Sequence, residues 1–253
     1  MFESLFRRKK SPEQLAAQLA LDLRELSSHA PESRGLEKLE ADISKLTEQM
    51  YHVVYGEPPG GTASSGSGGS SGGGPSGHSI SGGGGGGGSG GGEREIDPAA
   101  IDELARACQT HELMPLVLEH FKQVDFEARK DTAAVFCNFL RHNVAGWATA
   151  YMPQHVSLMY QMVDGYSAPD LALHCGTMLR ECVKLPRLHE ALLFGPDGGI
   201  SKPLRDVLEA HVHDPNFEVA ADAFETLTQV LTTDKPLVFQ WLNPDGDAAS
   251  LAR

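Results

Sequence analysis

The chain has 253 residues, but 28 are Gly and most of these lie in one tract. The foldable body is nearer about 150 residues, enough to bury a real core. Lys and Arg total 21 against 34 Asp and Glu, a net charge of −13, and beyond Ile96 there are 12 basic and 22 acidic residues. Because nucleic-acid affinity rests on cationic side chains, that balance argues against a nucleic-acid partner.

Cys108, Cys137, Cys175 and Cys182 form no CxxC and all fall inside helical patterns. They read as buried reduced thiols rather than as a disulfide or a metal site. No uninterrupted apolar run is long enough to span a bilayer, so a membrane partner is not expected and a cytoplasmic protein is.

Arg7-Arg8-Lys9-Lys10 is a short basic cluster, open to reading as a solvated flank, a nuclear address or a lipid contact. It precedes Ser11-Pro12-Glu13-Gln14, in which Ser11 suits an N-cap, Pro12 the first helical position and Gln14 the reciprocal capping partner. Leu15, Leu19, Leu23 and Leu26 then make one helical stripe. Leu36, Leu39, Ile43, Leu46 and Met50 make a second after a break at Pro31–Gly35. Residues 1–56 are therefore predicted to be an N-terminal helical hairpin, closed at Gly56 with Pro58 just beyond.

Residues 57–95 are dominated by Gly and Ser, with nothing to bury, and are predicted to be a disordered insertion. The tract lacks the GK[ST] ending of a phosphate cradle. Asp97-Pro98 opens a second helical region, 96–242, and 243–253 reads as a flexible polar tail. Within 96–242 three segments share one pattern: Phe126–Leu140, Pro169–Val183 and Phe217–Leu231, with starts 43 and 48 residues apart. Counting from each start as zero, offsets 7, 10 and 14 read Ala133, Phe136, Leu140; Gly176, Leu179, Val183; and Phe224, Leu227, Leu231. Offset 3 adds Ala172 and Ala220, whereas Arg129 departs from it. These offsets mark one stripe of a helix, and the interval lies in or beside the ~40–47-residue period of armadillo and HEAT repeats. One such helix cannot cover its own stripe; stacked copies bury a continuous core. The predicted fold is all-α, an armadillo/HEAT-like right-handed helical-repeat solenoid. Lys235–Leu242 reads as the opening helix of a fourth unit, with an apolar patch left bare along Leu227, Leu231, Leu237, Val238 and Phe239.

Catalytic chemistry has little foothold, since no G-x-S-x-G, kinase signature or dinucleotide fingerprint occurs. His211-x-His213 lacks an H-E-x-x-H frame and reads as a helix-terminal cation rather than a metal site. Asn243–Asp247 lacks the spacing of a calcium loop. No cofactor, metal or small-molecule substrate is predicted. The informative residues lie opposite the apolar stripe, at offsets 1, 5, 8 and 12. They are Glu127, Asp131, Ala134, Asn138; Asp170, His174, Thr177, Glu181; and Glu218, Asp222, Glu225, Gln229. Stacking aligns them into an acidic and polar ladder, which is either a solvated face or a groove for a partner with basic character.

Several segments together resemble the calcium-binding protein 39 family, the Mo-twenty-five or Hym-like scaffolds. They are Ser11-Pro12, Tyr55-Gly56, Asp125-Phe126-Glu127 with Lys130-Asp131, the run Ala172–Cys182, and Phe217–Phe224. The resemblance spans most of 1–56 and 96–242 in order. It implies an armadillo-like scaffold without enzyme activity. Such a scaffold binds a STRAD-type pseudokinase and a liver-kinase-B-type kinase, and activates sterile-twenty-class kinases. It also implies a role for Phe217, which matches a concave family position that approaches a kinase activation segment; the alternative is a core aromatic at a helix start. Two departures stand out: the Gly-rich insertion, and the lack of the further repeats that hold the pseudokinase's C-terminal tail in the family. The expected function is thus a non-catalytic adaptor that activates protein serine/threonine kinases in signal transduction. The expected partner-binding residues are Phe217, Glu127, Asp131, Asp170, His174, Glu181, Glu218, Asp222 and Glu225. A general peptide- or protein-binding adaptor is the alternative, and an all-α hydrolase using His174 and His211 is a third reading.

Overall fold

The structure is a computed structural model that describes residues 10–26, 34–57 and 96–243. Most of the basic cluster, the 27–33 connection, nearly all of the predicted insertion and the tail past Asn243 lie outside the described residues.

The first helix, α1 (Pro12–Leu26), starts where the capping signal places it. The Gln14 amide donates to Ser11 Oγ at 3.2 Å and the Ser11 amide donates to Gln14 Oε1 at 3.1 Å, so two amides that the helix leaves free are satisfied reciprocally. Helix α2 (Arg34–Tyr55) ends at Gly56, whose φ of +83° is a left-handed cap that a side chain would strain. Helix α3 (Pro98–Thr110) is capped by Asp97, which accepts from the Ala99 amide at 2.9 Å. Helix α4 (Leu113–Glu119) follows, and α5 (Phe126–Arg141) is capped by Asp125.

A left-handed connection through Asn143, Ala145 and Gly146 leads into a π turn at Trp147–Tyr151. The Asn143 carboxamide oxygen holds it by accepting from the Ala148 and Thr149 amides at 3.0 and 3.1 Å. Trp147 is fully buried, donates from Nε1 to the Ala105 carbonyl at 3.1 Å and packs on Phe136 and Phe139. It seats the second unit on the first. That unit continues through α6 (Met152–Gln154), α7 (Ser157–Asp164) and α8 (Pro169–Val183). The third comprises α9 (Pro186–Leu193), α10 (Lys202–Glu209) and α11 (Phe217–Thr233), and α12 (Lys235–Leu242) follows it. Among the described residues the only β pairing is an isolated bridge between Phe194 and Ile200. The molecule is an all-α helical-repeat stack in which α2 packs on α5, α5 on α8 and α8 on α11.

The shared stripe is buried in two of its three copies. Ala133, Phe136 and Leu140 in α5, and Ala172, Gly176, Leu179 and Val183 in α8, are all inside. In α11 the pattern breaks: Phe224 is 63% exposed and Leu227 and Leu231 are half-buried. Val219, Asp222, Ala223, Thr226 and Val230 are buried instead. Phe136 of α5 meets side chains of the preceding helices, such as Leu19, Met50 and Leu113, and α8 packs against both α5 and α11; among the described residues, α12 is the element that packs on α11 from beyond its end. The predicted bare patch is accordingly only partial, since Val238 is buried and Leu237 and Phe239 are half-buried.

Candidate functional site

Helices α5, α8 and α11 lie side by side, and each turns its first two residues, and part of the turn that follows, to solvent. On α5 these are Phe126, Glu127 and Lys130; on α8, Pro169, Asp170, Leu173 and Thr177; on α11, Phe217, Glu218, Ala221 and Glu225. Their alignment follows from the shared caps. Asp125 and Asn216 fix where α5 and α11 begin, and Pro169 sets the first turn of α8.

Three large apolar side chains stand on this face, each on a different helix. Phe126 is 57%, Leu173 49% and Phe217 82% exposed. Burying them would remove more apolar surface from water than anything else on these three helix starts, so the face gains most from a partner. Phe217 is therefore not a core aromatic at a helix start. Neither Phe126 nor Leu173 is among the expected site residues; a signal exists for Leu173, which at offset 4 lies about 90° from the centre of the apolar stripe, whereas Phe126 at offset 0 borders the stripe and gives none.

The predicted ladder divides into two sets. Glu127, Asp170, Glu218 and Glu225 are exposed beside the apolar trio. Asp131, Glu181 and Asp222 are buried, contrary to the expectation of an open acidic face; for Glu181 and Asp222 the preceding third helix supplies the compensating cation. Arg129 of α5 donates to Asp170 at 2.6 Å, Arg141 of α5 to Glu181 at 2.8 Å, and Arg180 of α8 to Asp222 at 2.9 Å. Arg129, the residue that breaks the stripe in α5, thus serves to pair α5 with α8. Much of the ladder joins one repeat to the next, and the exposed carboxylates are those of the first turn plus Glu225: Asp170 is held by Arg129, Glu127 by Lys130, and Glu225 lies 3.7 Å from Arg180 Nε.

Local pKa shifts follow this division. Burial pushes Glu181 up, but the hydrogen bonds from Arg141 and Lys184 outweigh it and hold the carboxyl below its usual range. Burial pushes Asp131 up, with Lys130 opposing. Burial, reinforced by Arg129, lowers His174, which keeps the ring neutral; it packs edge-on against Phe126 at 5.1 Å. His174 supports the exposed aromatic rather than presenting a charge. His211 does not act as a helix-terminal cation: it is buried, stacked on Tyr166 at 5.3 Å, and desolvation lowers its pKa. All four cysteines are free and buried, with Cys137 and Cys175 pushed up to about 12 by desolvation. Among the described residues no group of three or more His, Cys, Asp or Glu is arranged to hold a metal ion, and no helix is long and apolar enough to cross a membrane.

A stack of amphipathic helices whose third members expose an apolar and acidic row defines a helical-repeat protein of the kind that binds other proteins by surface complementarity. Residues 4–249 match the family model described as Mo25-like, and the chain belongs to that family. It is 32% identical over 157 residues to a human protein named calcium-binding protein 39-like, covering 61% of this chain and 44% of that one. It is 28% identical over 149 residues to MO25-like protein 2 of Caenorhabditis elegans, 58% of this chain and 42% of the relative. The Mo25-like protein of Schizosaccharomyces pombe is 28% identical over 153 residues, 59% and 44% respectively. These matches span less than half the length of each relative.

Proposed function

We propose that this chain is a non-catalytic scaffold that binds protein serine/threonine kinases, or a pseudokinase, along the solvent face of α5, α8 and α11 and activates them. Family membership supports a scaffold role. The observation that carries the reading is the pairing of Phe217, 82% exposed, with the adjoining exposed Glu218 at the start of α11. That arrangement recurs at Phe126 and Glu127 on α5. An exposed aromatic with a carboxylate beside it, present on two of the three helices, suits a partner surface carrying apolar and basic side chains. The aromatics supply buried area, and the carboxylates select charge and orientation.

Activation follows from differential binding. A rigid face that fits one kinase conformation better than another shifts the kinase toward it by the ratio of the two affinities. The test is the phosphorylation rate of a sterile-twenty-class kinase with and without the chain. The proposal expects a saturable rise in rate; an unchanged rate across a concentration series in which binding is detected would remove activation, and absence of binding would remove the kinase link.

A further inference from the structure

The junction between α8 and α11 is built differently from that between α5 and α8. The buried face of α11 is Val219, Asp222, Ala223, Thr226 and Val230, which offers no side chain larger than Val among its apolar members. Small apolar surfaces of this kind do not fix a sliding coordinate well, because dispersion and burial are non-directional.

A closed ring of hydrogen bonds occupies the space between the two helices. Arg180 Nη2 donates to Asp222 Oδ1 at 2.9 Å, and Tyr166 Oη donates to Asp222 Oδ2 at 2.6 Å. Tyr166 Oη and Thr226 Oγ1 lie 2.8 Å apart, and Arg180 Nη1 donates to Thr226 Oγ1 at 2.9 Å. Chemistry fixes every direction. The guanidinium only donates and the carboxylate only accepts, so the Tyr166 proton points to Asp222 and the Thr226 proton to Tyr166. All four side chains are then satisfied at once, with Tyr166, Asp222 and Thr226 buried and the Arg180 side chain 13% exposed.

Gly176 of α8 makes the room. A methyl group there would overlap both Asp222 Oδ2 and Tyr166 Oη. Gln229 Nε2 extends the grip by donating to the Arg180 carbonyl at 2.7 Å, so contacts run along α11 from Asp222 to Gln229. At the α5–α8 junction, by contrast, each ion pair has an exposed member: Asp170 at 60% and Arg141 at 54%. Pairs of that kind hold position weakly.

We infer that the Arg180–Asp222–Tyr166–Thr226 ring, with Gly176 as its recess, is a conformational clamp that fixes the register of α11 on α8. The clamp thereby sets the spacing between Phe217 and Glu218 on one helix and Asp170 and Leu173 on the other. These four ring residues act as positioning residues beneath the proposed binding face. The consequence for partners rests on the proposed function, but the clamp itself does not.

The test needs no partner. Cysteines introduced at exposed Thr177 of α8 and Thr228 of α11 accept spin labels, while the four native thiols are buried. Pulsed electron spin resonance should give one narrow distance distribution for the otherwise native chain. Tyr166→Phe removes one oxygen and keeps the ring packing; Thr226→Val removes the hydroxyl at another corner and keeps the volume. Each should broaden the distribution or move its mean by about 1–2 Å, the scale of helix sliding at an interface, while far-ultraviolet circular dichroism stays native. A distribution with both native width and native mean in either folded variant would overturn the clamp. Loss of the helical fold in both would also overturn it, because the ring would then support the whole stack rather than one junction. Kinase binding by the native chain is measured separately, so failure of the clamp and failure of the scaffold reading are distinguishable.

Discussion

Phe217 leaves 82% of its surface in water, although Phe belongs to the residue types most often found inside proteins. Replacing it with Ala should change unfolding free energy by no more than about 0.5 kcal/mol, the usual range for an exposed position. Partner affinity should fall by about 2 kcal/mol or more, the range of an aromatic anchor. Calorimetric melting and titration of the same variant read the two quantities apart. The buried carboxylates make a second contrast. Glu181 has a folded pKa below its ordinary 4.5, so its contribution to stability is present above that value and is lost as pH falls through the lower folded one. Asp131 has a folded pKa above its ordinary 3.8, so its charged form opposes folding as pH rises through the folded value. Chemical denaturation from acid to neutral pH should therefore show Glu181→Gln losing stability relative to the native chain as pH rises. Asp131→Asn should gain it over the same range.

At the scale of elements, the sequence carried the boundaries because caps are local. Ser11 with Gln14, Asp97-Pro98, and Gly56 are each read within four residues of where they act. All three appear at the predicted positions. Ser11→Ala should cost about 0.5–2 kcal/mol and raise hydrogen exchange in the first turn of α1 ahead of the rest of the helix. What periodicity could not carry was the identity of the covering surface. It predicted one stripe in three helices, but Phe224 of α11 is 63% exposed, and Arg129 reads as a flaw until Asp170 is placed opposite it. The end of α11 is a similar case. His189 of α9, fully buried, has Nε2 2.7 Å from the Val230 carbonyl in the last turn, and α12 restarts from the Asp234 cap. A contact between residues 189 and 230 leaves no trace in local spacing. Within the candidate site the exposed first-turn acids were legible from the offsets, whereas the burial of Glu181 and Asp222 was not, because their arginine partners lie about one repeat away.

The whole chain carries a net charge of −13, and among the described residues three arginines are used between helices. Arg129, Arg141 and Arg180 each bond to an acidic residue on the following third helix. The stack is thereby stitched in one direction while its solvent face stays acidic at Glu127, Glu218 and Glu225. Long-range attraction to such a face is screened over a Debye length of about 8 Å at physiological salt, so affinity for a basic partner should weaken as salt rises. The most direct test is the affinity of a sterile-twenty-class kinase domain for the native chain and for a variant carrying Glu127→Lys, Asp170→Asn and Glu218→Lys. Melting temperature is recorded for both. The native chain should bind tightly and in a salt-sensitive way, and the variant should lose about tenfold or more in affinity while still melting cooperatively. Equal affinity in the two would contradict the proposed binding face.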